Sequence, residues 1–83
     1  MEGEVIMDLQ GFVKHIADQF DETDAIEFKS ELEFKKLDDW SSMIALSIIA
    51  MVDEEYGITI KGDDIRKSET IKDLFDIINE YKS

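Results

Sequence analysis

The feature that most constrains this chain is an apolar run over residues 43–52, broken only by Ser47 and flanked by polar punctuation on both sides. Asp38, Asp39, Trp40, Ser41 and Ser42 stand ahead of it, and Asp53-Glu54-Glu55-Tyr56-Gly57 follows. A serine at a helix start offers its side-chain oxygen to amides that lack an intrahelical partner. A glycine just past the last turn adopts the left-handed conformation that ends a helix. The pattern predicts a helix over residues 41–56. Met43, Leu46, Ile49, Ala50 and Val52 form its expected core stripe, while Ile44, Ile48 and Met51 make the other faces apolar as well. A helix of that kind is either central in its bundle or shows apolar surface to a partner. At roughly half the ~20 residues of a membrane span, the run is too short to cross a bilayer.

The remaining elements arrange themselves around that helix. Ile6, Leu9, Val13, Ile16, Ala17 and Phe20 recur at helical spacing and predict an amphipathic helix from about residue 5 to 20, with Gly11 inside it and His15 on its polar side. A turn is expected at Asp21-Glu22-Thr23-Asp24. Residues 25–40 carry a period-two signal, but a strand with no partner elsewhere leaves its backbone unsatisfied. They are therefore read as a long ordered loop pinned by Phe28, Leu32, Phe34 and Leu37. Ile58 and Ile60 suggest an extended connector, and Asp63-Asp64-Ile65-Arg66 one short turn of helix. Thr70 as N-cap with Asp73 three residues on opens a final helix marked by Ile71, Leu74, Phe75, Ile78 and Tyr81. The expected fold is all-α: a small four-helix bundle of three main helices and one short one, with a long first loop. Residues 1–83 form a single domain.

Composition removes several classes of function. The chain has 21 acidic and 9 basic residues, a net charge of −12, which opposes binding to nucleic acid or an anionic membrane surface. It favours encounter with basic partners. There is no cysteine and only one histidine, so thiolate chemistry and a His-rich metal site are both out of reach. The acidic runs lack calcium-loop spacing, and there is no Gly-rich phosphate cradle. No enzymatic activity of its own is expected. No secretory signal is read at the N-terminus, so the cytoplasm is the expected location. A highly charged surface predicts a monomer.

The serine pair remains. Plain capping by Ser41, with Ser42 a small polar neighbour, accounts for it fully. Alternatively, one hydroxyl carries a phosphate-linked group, because free amides and the macrodipole at a helix N-terminus favour negative charge.

These features together resemble the acyl carrier proteins, in which a serine opening the second helix, in an Asp-Ser-Leu motif, bears a phosphopantetheine arm. Gly57 lies fifteen positions after Ser42, and Asp53-Glu54-Glu55-Tyr56-Gly57 is similar to the family's helix end. Gly57-Ile58-Thr59-Ile60 resembles its connector, Thr70-Ile71-Lys72-Asp73-Leu74 the start of its last helix, and Phe34, Leu37 and Asp39-Trp40 the approach to its motif. The resemblance implies a freestanding carrier with phosphopantetheine on Ser42, taken from coenzyme A by a phosphopantetheinyl transferase. It implies acyl or aminoacyl cargo held as a thioester, in a specialised lipid, polyketide or peptide-like pathway. Asp38, Asp39, Asp53, Glu54 and Glu55 would face basic patches on acyl- or aminoacyl-handling enzymes, with Ile44 and Met51 adding apolar contact. Ser42 is preferred to Ser41 because the distance to Gly57 fits it and because it places Met43, Leu46 and Ile49 in core positions. Ser41 stands where the family has aspartate, and Met43 where it has leucine. Ile44 and Ser47 occupy positions that are usually acidic in fatty-acid carriers, which implies a dedicated partner set with more apolar contact. The alternative is an acidic helical interaction module without a prosthetic group, docking through Ile44, Ile48 and Met51.

Overall fold

The computed structural model describes residues 8–20 and 23–82, and among these every regular element is helical. Asp8 opens the first helix, α1 (Leu9–Ala17), by accepting a hydrogen bond from the Gly11 amide at 3.2 Å. The expected start near residue 5, and Ile6 with it, lie outside the described residues. The helix ends earlier than the apolar spacing predicts. The amides of Gln19 and Phe20 turn to the carbonyls of Ile16 and Ala17, three residues back, so the chain tightens and leaves the α-helical path. Phe20 still reaches the core, from a turn.

The long first loop is ordered by what it buries and what it caps. It contains two short 3-10 turns, Ala25–Glu27 and Phe34–Lys36. Phe28 and Phe34 are buried, and Leu32 and Leu37 pack half-buried against the core. Its backbone carbonyls find partners on the last helix: Lys72 N–H donates to Ser30 O at 2.9 Å and Ile71 N–H to Leu32 O at 3.2 Å. Lys35 Nζ donates to the carbonyl of Arg66 at 2.8 Å. The loop thus satisfies its own backbone without a strand partner.

The central helix, α2 (Ser42–Tyr56), stops at Gly57, whose φ of 68° is the left-handed value that glycine adopts without steric cost. A short helix, α3 (Gly62–Lys67), follows the Ile58–Ile60 connector, both of whose isoleucines are buried. Six residues do not hold a helix in water on their own. Tertiary contacts supply the rest: Ile65 is buried, Lys61 N–H donates to Asp64 Oδ2 at 3.0 Å, and Ser68 Oγ donates to Asp64 O at 2.8 Å. The Tyr81 hydroxyl donates to the same carboxylate oxygen. Burial alone would raise the pKa of Asp64. The hydrogen bonds from Tyr81 and the Lys61 amide, with the charges of Lys67 and Lys61, outweigh it and hold the carboxyl below its ordinary value.

The last helix, α4 (Ile71–Lys82), begins with the expected reciprocal cap. Asp73 N–H donates to Thr70 Oγ1, and Thr70 N–H returns to Asp73 Oδ2, both at 3.1 Å. The core joins Phe12 and Ile16 of α1, Phe34 of the loop, Ile48 and Val52 of α2, and Ile71, Leu74 and Ile78 of α4. Each such side chain contributes about 1.5–3 kcal/mol on burial.

Candidate functional site

At the start of α2 the two serines have different jobs. Ser41 is the N-cap: its backbone is extended (φ −155°, ψ 168°) and its Oγ accepts from Ile44 N–H at 3.3 Å. The Ser41 carbonyl takes the Ala45 amide. Ser42 is the first helical residue, exposed to solvent, and among the described residues its hydroxyl has no partner. The amides of Ser42 and Met43 are likewise unpartnered among the described residues. A free hydroxyl therefore sits beside two unoccupied N–H donors, at the positive end of a fifteen-residue helix dipole.

The predicted core stripe of α2 is buried only in part: Val52 is inside and Ile49 half-buried, but the rest of it faces solvent. Met43 is 76% exposed, Leu46 66% exposed, and Ala50 is exposed as well. The buried face consists of Ile48, Met51 and Val52, with Ile44, Ala45 and Ile49 half-buried. Three of the expected core residues thus lie on the surface, and Leu46 stands one turn along from Ser42 and Met43, four and three residues on, so that it neighbours both. Met43 and Leu46 therefore do not give Ser42 the advantage over Ser41 that is expected from their lying inside. What separates the serines is that Ser41 is occupied as the cap and Ser42 is not.

The expected contact residues are dispersed. Asp38 is exposed just ahead of the serines. Asp39 is half-buried and turned inward: Oδ1 accepts from Thr23 Oγ1 at 2.6 Å and Oδ2 from Thr23 N–H at 3.2 Å. Met51 is 6% exposed, so neither it nor the fully buried Ile48 offers docking surface. Asp53, Glu54 and Glu55 are exposed at the far end of α2, about 16–20 Å along the axis from Ser42 at 1.5 Å per residue. There Glu55 Oε1 lies 3.9 Å from His15 Nε2, and the imidazole meets the Tyr56 ring edge-on at a centroid distance of 5.8 Å. His15 is therefore half-buried in the α1–α2 contact instead of lying free on the polar side. Burial raises the pKa of Tyr56, and the charges of Glu55 and Asp8 add to that shift.

Trp40, immediately before the serine pair, is an anchor. Its ring centroid is 5.5 Å from that of Phe34 and 6.2 Å from that of Phe20, which in turn is 5.1 Å from Phe28. A cleft of about 480 Å³ opens between α1 and the first loop, floored by Leu9, Val13, Ala17 and Phe28. None of its lining comes from α2, so it is separate from the serine site. Among the described residues no group of acidic or histidine side chains could hold a metal ion, and no helix is long and apolar enough to cross a membrane.

Two features of this site escape a reading of residue types: the exposure of Met43 and Leu46, and the Thr23–Asp39 pair. The first depends on how α2 is rotated, and the second joins residues sixteen positions apart. No family model, curated protein or solved structure matches this chain.

Proposed function

We propose that this chain is a carrier protein of the acyl-carrier type, with Ser42 the attachment point of a phosphopantetheine arm. The observation that carries the reading is the division of labour at the start of α2: Ser41 caps, leaving Ser42 exposed beside two amides that have no partner among the described residues. In the loading step Ser42 Oγ forms a bond to the pantetheine-side phosphorus of coenzyme A. The pyrophosphate P–O bond breaks, the hydroxyl proton is released, and adenosine bisphosphate leaves. The phosphodiester oxygens would then face the Ser42 and Met43 amides, where the helix dipole favours their charge. The arm supplies a thiol for acyl or aminoacyl groups. Met43 and Leu46 would give a transferase or cargo-handling enzyme an apolar contact beside the arm, with Asp38 and the more distant Asp53, Glu54 and Glu55 steering basic partners electrostatically. This monomeric carrier would act in the cytoplasm.

The deciding experiment is intact mass after incubation with coenzyme A, magnesium and a broad-specificity phosphopantetheinyl transferase. Wild type and Ser41→Ala should gain one arm, and Ser42→Ala none. Absence of loading in wild type, under conditions that load a control carrier, would sink the reading. The exposed Met43 and Leu46 would then favour the second one, an acidic helical interaction module that docks through those two side chains and uses both serines only at the helix end.

A further inference from the structure

Among the described residues, a side-chain contact between Thr23 and Asp39 closes the base of the first loop. Thr23 stands at its beginning and Asp39 at its end, and both oxygens of the Asp39 carboxylate are taken by Thr23, one by the hydroxyl and one by the amide. A second closure follows directly: Trp40 N–H donates to Leu37 O at 3.0 Å, while the indole packs on Phe34 and Phe20. Asp39 is only three residues before Ser42, which bounds the separation of their α-carbons at about 11 Å. Between them lies Ser41, whose extended backbone turns the chain into α2. Whatever fixes Asp39 therefore fixes the entry angle of the segment that presents Ser42. Asp39, read from sequence as a partner contact, is committed to an internal one.

From this we infer that Thr23, through Asp39, is a positioning residue for arm transfer to Ser42: it holds residues 39–41 so that the Ser42 hydroxyl meets the incoming phosphorus in one orientation. The inference rests on the carrier reading and adds a residue that no serine motif would indicate. Transfer to a hydroxyl demands close alignment of the reacting atoms, and misplacement by about 1 Å costs as much as a hundredfold. A loosened loop base should therefore appear in the chemical step and not in docking, because the docking side chains Met43 and Leu46 belong to the helix itself.

The test compares three variants in steady-state arm transfer, with melting temperature recorded for each. Thr23→Val keeps the shape and the amide but removes the hydroxyl donor. Thr23→Ser keeps both donors. Lys35→Met cuts a different tie of the same loop, the bond from Lys35 to the Arg66 carbonyl. Thr23→Val should lower kcat about tenfold, with KM for the carrier within about twofold of wild type. Thr23→Ser should restore kcat, and Lys35→Met should leave it near wild type even where its melting temperature falls. Wild-type kcat in Thr23→Val, an equal loss in Lys35→Met, or a change confined to KM would each overturn the positioning role while leaving the carrier reading intact. A wild-type chain that accepts no arm removes both.

Discussion

The N-termini of α2 and α4 begin from similar chemistry and end differently. Each has a hydroxyl N-cap. At α4 the first-turn donors are all engaged: Ile71 and Lys72 by carbonyls of the first loop, Asp73 by Thr70, with Thr70 and Glu69 returned to the Asp73 carboxylate. At α2 the cap serves Ile44 alone, and the amides of Ser42 and Met43 have no partner among the described residues. One terminus is closed by the chain itself; the other is left to whatever arrives. Unsatisfied helix donors are costly when buried and useful when exposed. The contrast therefore separates a structural helix start from one available for chemistry, though both read as serine or threonine before an apolar run.

The largest test of this contrast concerns which face of α2 the fold uses. Ile48→Ala should cost about 2–5 kcal/mol in denaturant unfolding, and Leu46→Ala no more than about 0.5 kcal/mol. Comparable losses would mean that Leu46 is covered and that the open end of α2 is not open. A smaller effect is expected at the caps. Ser41→Ala should cost about 1 kcal/mol, and amide exchange should spread through Ser42, Met43 and Ile44, whose amides have no other partner among the described residues. In Thr70→Ala the amides of Ile71 and Lys72 should stay protected, because the loop carbonyls remain. Equal fraying in the two variants would erase the distinction.

The smallest effect is one of pH. The Asp73 carboxyl is held below its ordinary pKa first by the amides of Glu69 and Thr70. A lowered folded-state pKa means that the stabilisation is complete above the unfolded value of about 3.9 and is lost as pH falls through the folded one. The gap in melting temperature between wild type and Asp73→Asn should therefore narrow on acidification below about pH 4. The gap between wild type and Ser41→Ala should not, since a serine cap does not titrate. A constant gap for Asp73→Asn would show that the carboxylate plays no part in closing α4.

Much of this molecule was legible in its sequence, for local reasons. The limits of α2, the left-handed stop at Gly57, the Thr70–Asp73 cap, the short helix around Asp64 and the loop pinned by Phe28 and Phe34 all follow from the conformational preferences and reach of neighbouring residues. So does the N-cap role of Ser41. Three things were decided by tertiary structure alone. The rotation of α2 is one: a helix apolar on nearly every face carries only a weak periodic signal, so Ile48 and Met51 could bury themselves beside Val52 as readily as Met43 and Leu46, and packing against the other helices made the choice. The inward turn of Asp39 is another, because its partner Thr23 is distant in sequence and a carboxylate reads the same whether it faces solvent or a hydroxyl. The last is the occupancy of helix termini: α4 is closed by loop carbonyls from residues 30 and 32, and a carbonyl present at every residue leaves no mark in the sequence to say which helix it will cap.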